Sequence, residues 1–249
     1  MPRRVLTARD LPGDARGTLA SNLERCRSQI AAAAGRAGRE PEDVGLLVVS
    51  KYVDVDVMRV LHDLGVREFG ENRVQEALRK KEALGDLKDL RIHFVGHLQR
   101  NKARRAASTF ASIQSLDSRR LATLFEEIFT DLPGAPPELY IEANLSNEPR
   151  KTGVPFEDLD GLLDEISRLP RVDAALTGFM GMAPYHDDPE ASRPFFRRLR
   201  DLRDRAVATG RLPAGAGLSM GMSRDYEVAV EEGATVVRVG SALYETPGP

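Results

Sequence analysis

The chain has 249 residues, 41% hydrophobic and 30% charged, the proportions of an ordinary water-soluble fold. A formal net charge of −2 argues against a dedicated nucleic-acid or membrane-surface binder, and no apolar run is long enough to span a bilayer. Cys26 is the lone cysteine, which rules out an internal disulfide framework and suits a reducing, cytoplasmic setting.

Residues 1–14 carry charge but no hydrophobic segment behind it, so they do not read as a secretory leader. They are expected to be a flexible start to one domain over 15–249. A first helix is expected from Ala15 to Gly35, with Leu19, Leu23, Cys26 and Ile30 at helical spacing. Short apolar runs then alternate with helical patterns. Leu46 to Ser50 reads as a strand buried on both faces. A helix follows, capped by Asp54 and stopped by Gly65. Arg67 to Gly70, Arg91 to Gly96 and Ser112 to Leu116 are the next strands. Between them lie a helix over 72–84 and a basic one ending at Ala107, and Asp117 or Ser118 caps another reaching Phe129. Glu138 to Asn144 is the fifth strand, and Leu159, Leu162, Leu163, Ile166 and Leu169 mark the helix behind it. Ala174 to Met180, Gly217 to Gly221 and Ala234 to Gly240 complete the strands, with a long helix over 189–209. Eight such alternations are what a closed (β/α)8 barrel requires. The competing open sheet would more often carry a Gly-rich turn after its first strand, and VSKYVD is not one.

A barrel of this kind works at the C-terminal ends of its strands. Lys51 follows the first strand directly and points toward that mouth. A desolvated lysine there becomes a nucleophile for aldehydes, although on the residues alone a surface lysine paired with Asp54 or Asp56 is slightly the better reading. The ends of strands seven and eight carry glycine and hydroxyl residues just before helix starts, with Arg238 between them, a pattern suited to phosphate. His93 and His97 straddle a strand and its loop, which does not suit a metal site. His62 and His186 are expected in solvent without partners. The run RPFFRRLRDLRDR reads as the solvated face of an amphipathic helix, and LQRNKARR (98–105) as a basic helix or a partner contact.

The segments VSKYVD, FGENRVQE, IHFVGHLQRNK, KTG, LTGFMGMAP, LSMGMSRDYEVAVEEGAT and VRVGSALYE occur in order over 46–245. Together they resemble the YggS/PROSC family of pyridoxal phosphate homeostasis proteins, whose fold is similar to the N-terminal barrel of alanine racemase. The resemblance implies that Lys51 holds pyridoxal 5′-phosphate as a Schiff base. Ser219, Gly240 and Ser241 would hold the phosphate, and Asn72, Met220 and Met222 would line the site. Arg238 would lie beside the cofactor, contacting the phosphate or the pyridine nitrogen side, and an arginine near that nitrogen disfavours ring protonation and weakens the electron sink. The family implies buffering or delivery of the cofactor to apo-enzymes by a monomer, without confirmed catalysis. Two departures stand out: the extension before Ala15, and Arg100 where a small polar residue is usual. Neither is expected to touch the cofactor site.

Two enzymatic alternatives remain. A racemase-like activity would need acid–base groups on both faces of the cofactor, and the tyrosine-bearing second domain of alanine racemases is expected to be missing. A cofactor-free aldolase of this fold would carry its lysine on strand six, which has none.

Overall fold

The computed structural model describes residues 5–11, 14–146 and 152–245. Strands β1 (Gly45–Val49), β2 (Glu68–Glu71), β3 (Arg91–Phe94), β4 (Ser112–Leu116), β5 (Glu138–Ala143), β6 (Leu176–Gly181), β7 (Gly217–Met222) and β8 (Val236–Val239) pair in chain order. β8 returns to pair in parallel with β1, closing the barrel. The expected (β/α)8 barrel is the fold.

The helices are α1 (Ala15–Arg36), α2 (Val55–Asp63), α3 (Val74–Ala83), α4 (Ala103–Ala107) and α5 (Arg119–Thr130), followed by α6 (Leu159–Ile166), α7 (Pro170–Ala175), α8 (Arg193–Ala208), α9 (Tyr226–Glu231) and α10 (Ser241–Tyr244). Local chemistry sets their ends. The Asp54 carboxylate accepts the Val57 N–H at 3.0 Å to start α2, and Ser118 caps α5 through the Leu121 N–H. Outward-facing strand residues such as Val48, Phe69, Ile113, Phe179 and Met220 join helix residues in one continuous core. α1 packs against α9 and α10. Its Asn22 amide donates to the Leu243 carbonyl at 2.9 Å and its Arg25 guanidinium to Ala242 at 3.0 Å, so this added helix fastens the last turn of the barrel.

Several expectations need correction. Residues 5–11 do not behave as a loose tail. Leu6 bridges Val53 in parallel, its N–H donates to Tyr52 and its carbonyl accepts from Asp54, while Leu11 is buried. The extension therefore braces the loop that carries Lys51. The rest of its first stretch lies outside the described residues. Ala174 and Ala175 belong to α7, which Pro170 initiates, so β6 starts at Leu176. The basic segment is a 3₁₀ turn at Arg100–Lys102 leading into the short α4. The arginines of α8 are not simply solvated: Arg193, Arg197 and Arg200 converge on the buried Glu232 carboxylate at 3.1, 3.0 and 2.7 Å. His62 meets Asp89 at 2.7 Å, and His186 stacks on Phe195 with ring centroids 6.2 Å apart. Among the described residues no helix is long and apolar enough to cross a membrane.

Candidate functional site

The ends of β7 and β8 meet through one hydroxyl. Ser223 Oγ accepts the backbone N–H of Gly240 at 3.2 Å and of Ala242 at 3.3 Å. With two donors directed into its oxygen, the hydroxyl keeps its own proton for a further acceptor. The turn that delivers Ser223 needs a glycine. Gly221 has φ +90°, and a Cβ there would lie 2.5 Å from that of Ala229. Asp225 secures the same turn, accepting the Met222 N–H at 2.7 Å and the Ser192 hydroxyl at 3.1 Å.

Beneath this rim lies Arg238. Its Nη1 donates to the Ser219 carbonyl and hydroxyl at 2.6 and 2.7 Å, and its Nη2 to the Gly181 carbonyl at 3.0 Å. All of these acceptors are neutral, and among the described residues it makes no ion pair. Burial lowers its pKa to about 10, with Asp225 and Glu142 opposing from a distance. A buried cation without a contacting carboxylate favours an anion above it. Glu142, on β5, is pushed above the usual carboxylate range by burial, although the Thr152 hydroxyl donates to it at 2.6 Å.

Next to β8 around the mouth is the end of β1, its hydrogen-bonded neighbour. Lys51 is exposed in the turn after it, with Nζ 5.1 Å from the Tyr52 ring centroid. Among the described residues it forms no ion pair, and the Asp54 carboxylate serves as a helix cap instead. The backbone leading to Lys51 is held from below. Lys80 donates to the Ser50 carbonyl at 2.7 Å and to Glu71 Oε1 at 2.5 Å, and the Ser50 hydroxyl donates to the same Glu71 oxygen at 2.9 Å. Both side chains are buried, and among the described residues Glu71 Oε2 has no hydrogen-bond partner. The Tyr244 hydroxyl donates to the Val49 carbonyl at 3.0 Å, and burial together with Glu71 raises its pKa, so it remains a donor. A Cβ on Gly240 would lie 3.4 Å from that of Val49, which brings the end of β8 directly against the strand that presents Lys51.

The residues singled out by sequence therefore divide. Gly240, Ser241 and Met222 sit at the rim with the Lys51 turn, and Asn72 follows β2, half-buried. Arg238 forms the floor. Ser219 is fully buried with its hydroxyl given to Gln114 Oε1 at 2.7 Å, so it supports the arginine rather than standing at the rim. Met220 is fully buried in the core between sheet and helices, because successive residues of a strand face opposite sides. Ser223, Gln114, Glu71, Lys80 and Tyr244 were not selected. For Ser223 the signal was present: it is the first hydroxyl beyond the strand, where a turn exposes it. His97 lies 3.3 Å from Asp117, and His93 is inside the barrel, so the two do not share a site.

Against known proteins, the profile of the alanine racemase N-terminal domain matches residues 21–247. The pyridoxal phosphate homeostasis protein of Aquifex aeolicus is 42% identical over 223 residues, covering 89% of this chain and 95% of the relative. Its counterpart in Pseudomonas aeruginosa is 39% identical over 231 residues, 91% and 95% of the two chains. Among solved structures, PipY of Synechococcus elongatus with PLP bound superposes with TM-score 0.79 at 35% identity, over 91% of this chain and 100% of PipY. Alanine racemase of Bartonella henselae, 15% identical with TM-score 0.66, shares the fold, and 59% of its length is covered. On these matches, which run through both sides of the mouth just described, the chain belongs to the pyridoxal phosphate homeostasis protein family.

Proposed function

We propose that this protein binds pyridoxal 5′-phosphate at the barrel mouth, covalently through Lys51, and holds it for delivery to apo-enzymes. One observation carries the reading. The Ser223 hydroxyl, oriented by the Gly240 and Ala242 N–H groups, lies above a buried arginine that pairs with no carboxylate among the described residues, beside the strand that leads to Lys51. This donor set fits a phosphate monoester next to a reactive carbonyl. When bound, the cofactor supplies an aldehyde to the amine and a dianionic tail to the hydroxyl end. The Ser223 hydroxyl and the Ser241 backbone hold the tail, with the Gly240 N–H orienting Ser223. Arg238 stays charged on the ring side, and as a donor it disfavours protonation of the ring nitrogen. Asn72 and Met222 flank the ring. Lys51, exposed at the rim, leaves the bond open to water or small amines, which permits release.

The names of the relatives support holding over catalysis, and the PLP-bound PipY structure supports the cofactor's identity. Purified protein incubated with pyridoxal phosphate is expected to absorb in the visible, and borohydride followed by peptide mapping should mark Lys51. Colourless protein, or a label elsewhere in wild type, overturns the reading. Lys51→Ala should pass cofactor to an apo-enzyme no faster than free pyridoxal phosphate does. Rapid interconversion of L- and D-amino acids by the loaded protein would replace the carrier role with a racemase.

A further inference from the structure

The barrel interior contains a polar chain that the site does not account for. β4 and β7 are not neighbours in the sheet, yet Ser219 Oγ on β7 donates to Gln114 Oε1 on β4 at 2.7 Å, so the bond crosses the barrel. Gln114 Nε2 reaches Ser112 Oγ at 3.4 Å, and Ser112 Oγ meets His93 Nδ1 at 2.7 Å. His93 Nε2 is hydrogen-bonded to Glu68 Oε2. Ser112, Gln114, Ser219 and His93 are buried, whereas the Glu68 side chain is 36% exposed at the N-terminal end of β2, the face opposite the mouth.

Proton counting fixes the direction of the first links of this chain. Arg238 can only donate, so the Ser219 hydroxyl receives its hydrogen bond and must send its one proton to Gln114 Oε1. That leaves the amide NH₂ for Ser112, which can in turn pass its own proton to His93 Nδ1. In that arrangement the imidazole carries its proton on Nε2 and donates it to Glu68. Every link from Arg238 to the carboxylate then presents an acceptor toward the arginine. Aligned bonds of this kind polarise one another, which spreads the buried positive charge along the axis toward a carboxylate that water can reach.

We propose that Gln114, Ser112, His93 and Glu68 are positioning residues for Arg238, setting its orientation and charge at the mouth from the far end of the barrel. The inference extends the reading of Arg238 as the cofactor's ring-side neighbour, and it can be tested without cofactor. In ¹⁵N-labelled, ligand-free protein at neutral pH, His93 should show a protonated Nε2 and a bare Nδ1. A proton on Nδ1, in the neutral or the charged ring, overturns the proposal. Ser112→Ala, which touches neither Arg238 nor the mouth, should move the Arg238 guanidinium resonances, and Ser112→Thr should restore them. Ile113→Val, the outward-facing neighbour on the same strand, should leave them in place. Unmoved resonances in Ser112→Ala, or an equal movement in Ile113→Val, overturn the proposal. In loaded protein the same Ser112→Ala should displace the visible band and weaken affinity about 5-fold, a net hydrogen bond's worth. Absence of a band in wild type would sink the cofactor reading alone, since the resonances still decide the chain.

Discussion

The two sides of the mouth are built on different principles. At the ends of β7 and β8, the group that would grip an anion is the Ser223 hydroxyl, oriented by two backbone N–H donors and fixed by a glycine turn and by Asp225. At the end of β1, the group that would react is a long, exposed side chain, and the order lies beneath it, in a buried Glu71–Lys80 pair that ties down the Ser50 backbone. The first arrangement loses little entropy on binding, because its hydroxyl is already held in place. The second leaves the amine free to form and break a bond while its attachment point stays still. A protein that holds a reactive cofactor and also gives it up needs both.

The strongest way to break this contrast is Lys80→Met. It leaves the Glu71 carboxylate buried and unpaired, at a cost of about 3–5 kcal/mol. Chemical denaturation should show that loss, and Glu71→Gln combined with Lys80→Met should recover much of it. If the single variant is as stable as wild type, the β1 side is not held by this pair. Ser223→Ala acts on the other side. It removes one hydroxyl from the anion end and should weaken pyridoxal phosphate affinity about 10-fold, measured by equilibrium titration, with little change in stability. Ser219→Ala should weaken it less, because that hydroxyl acts only through Arg238.

A milder effect is expected from deleting residues 1–11. The Leu6 bonds to Tyr52 and Asp54 disappear, and the Lys51 loop should become more open to amide exchange while the β7 and β8 ends keep their protection. The smallest effect sharpens the electrostatics. Burial raises the Glu142 pKa above its ordinary 4.5. Below that pH the carboxyl is neutral in both folded and unfolded chains, so nothing is lost. As pH rises through the unfolded value, the unfolded chain releases the proton while the folded one retains it, and stability drains away up to the folded pKa. Glu142→Gln lacks this penalty, so its stability relative to wild type should rise between acidic and neutral pH. A flat difference across that range would show that Glu142 is ionised at little cost.

Much of the frame was legible in the residues. Strand ends were marked by apolar runs giving way to glycine, serine or asparagine, and Asp54 and Ser118 start their helices as expected. Arg238, Gly240 and the Lys51 turn could be placed together once the strands were counted. Partners distant in sequence were not legible. His62 meets Asp89, the α8 arginines meet Glu232, and Leu6 meets Tyr52 only because the chain folds back.

Composition, apolar periodicity and capping residues determined the barrel and the positions of its strand ends, because these depend on spacing along a local stretch of chain. Whether Ser219 or Ser223 faces a ligand, whether Met220 lines the mouth or the core, and how the inward polar groups link were decided by closure of the sheet. A strand turns each successive side chain to the opposite face, so a shift of one residue exchanges inside for outside. The axial hydrogen bonds exist only where non-adjacent strands are brought across from one another.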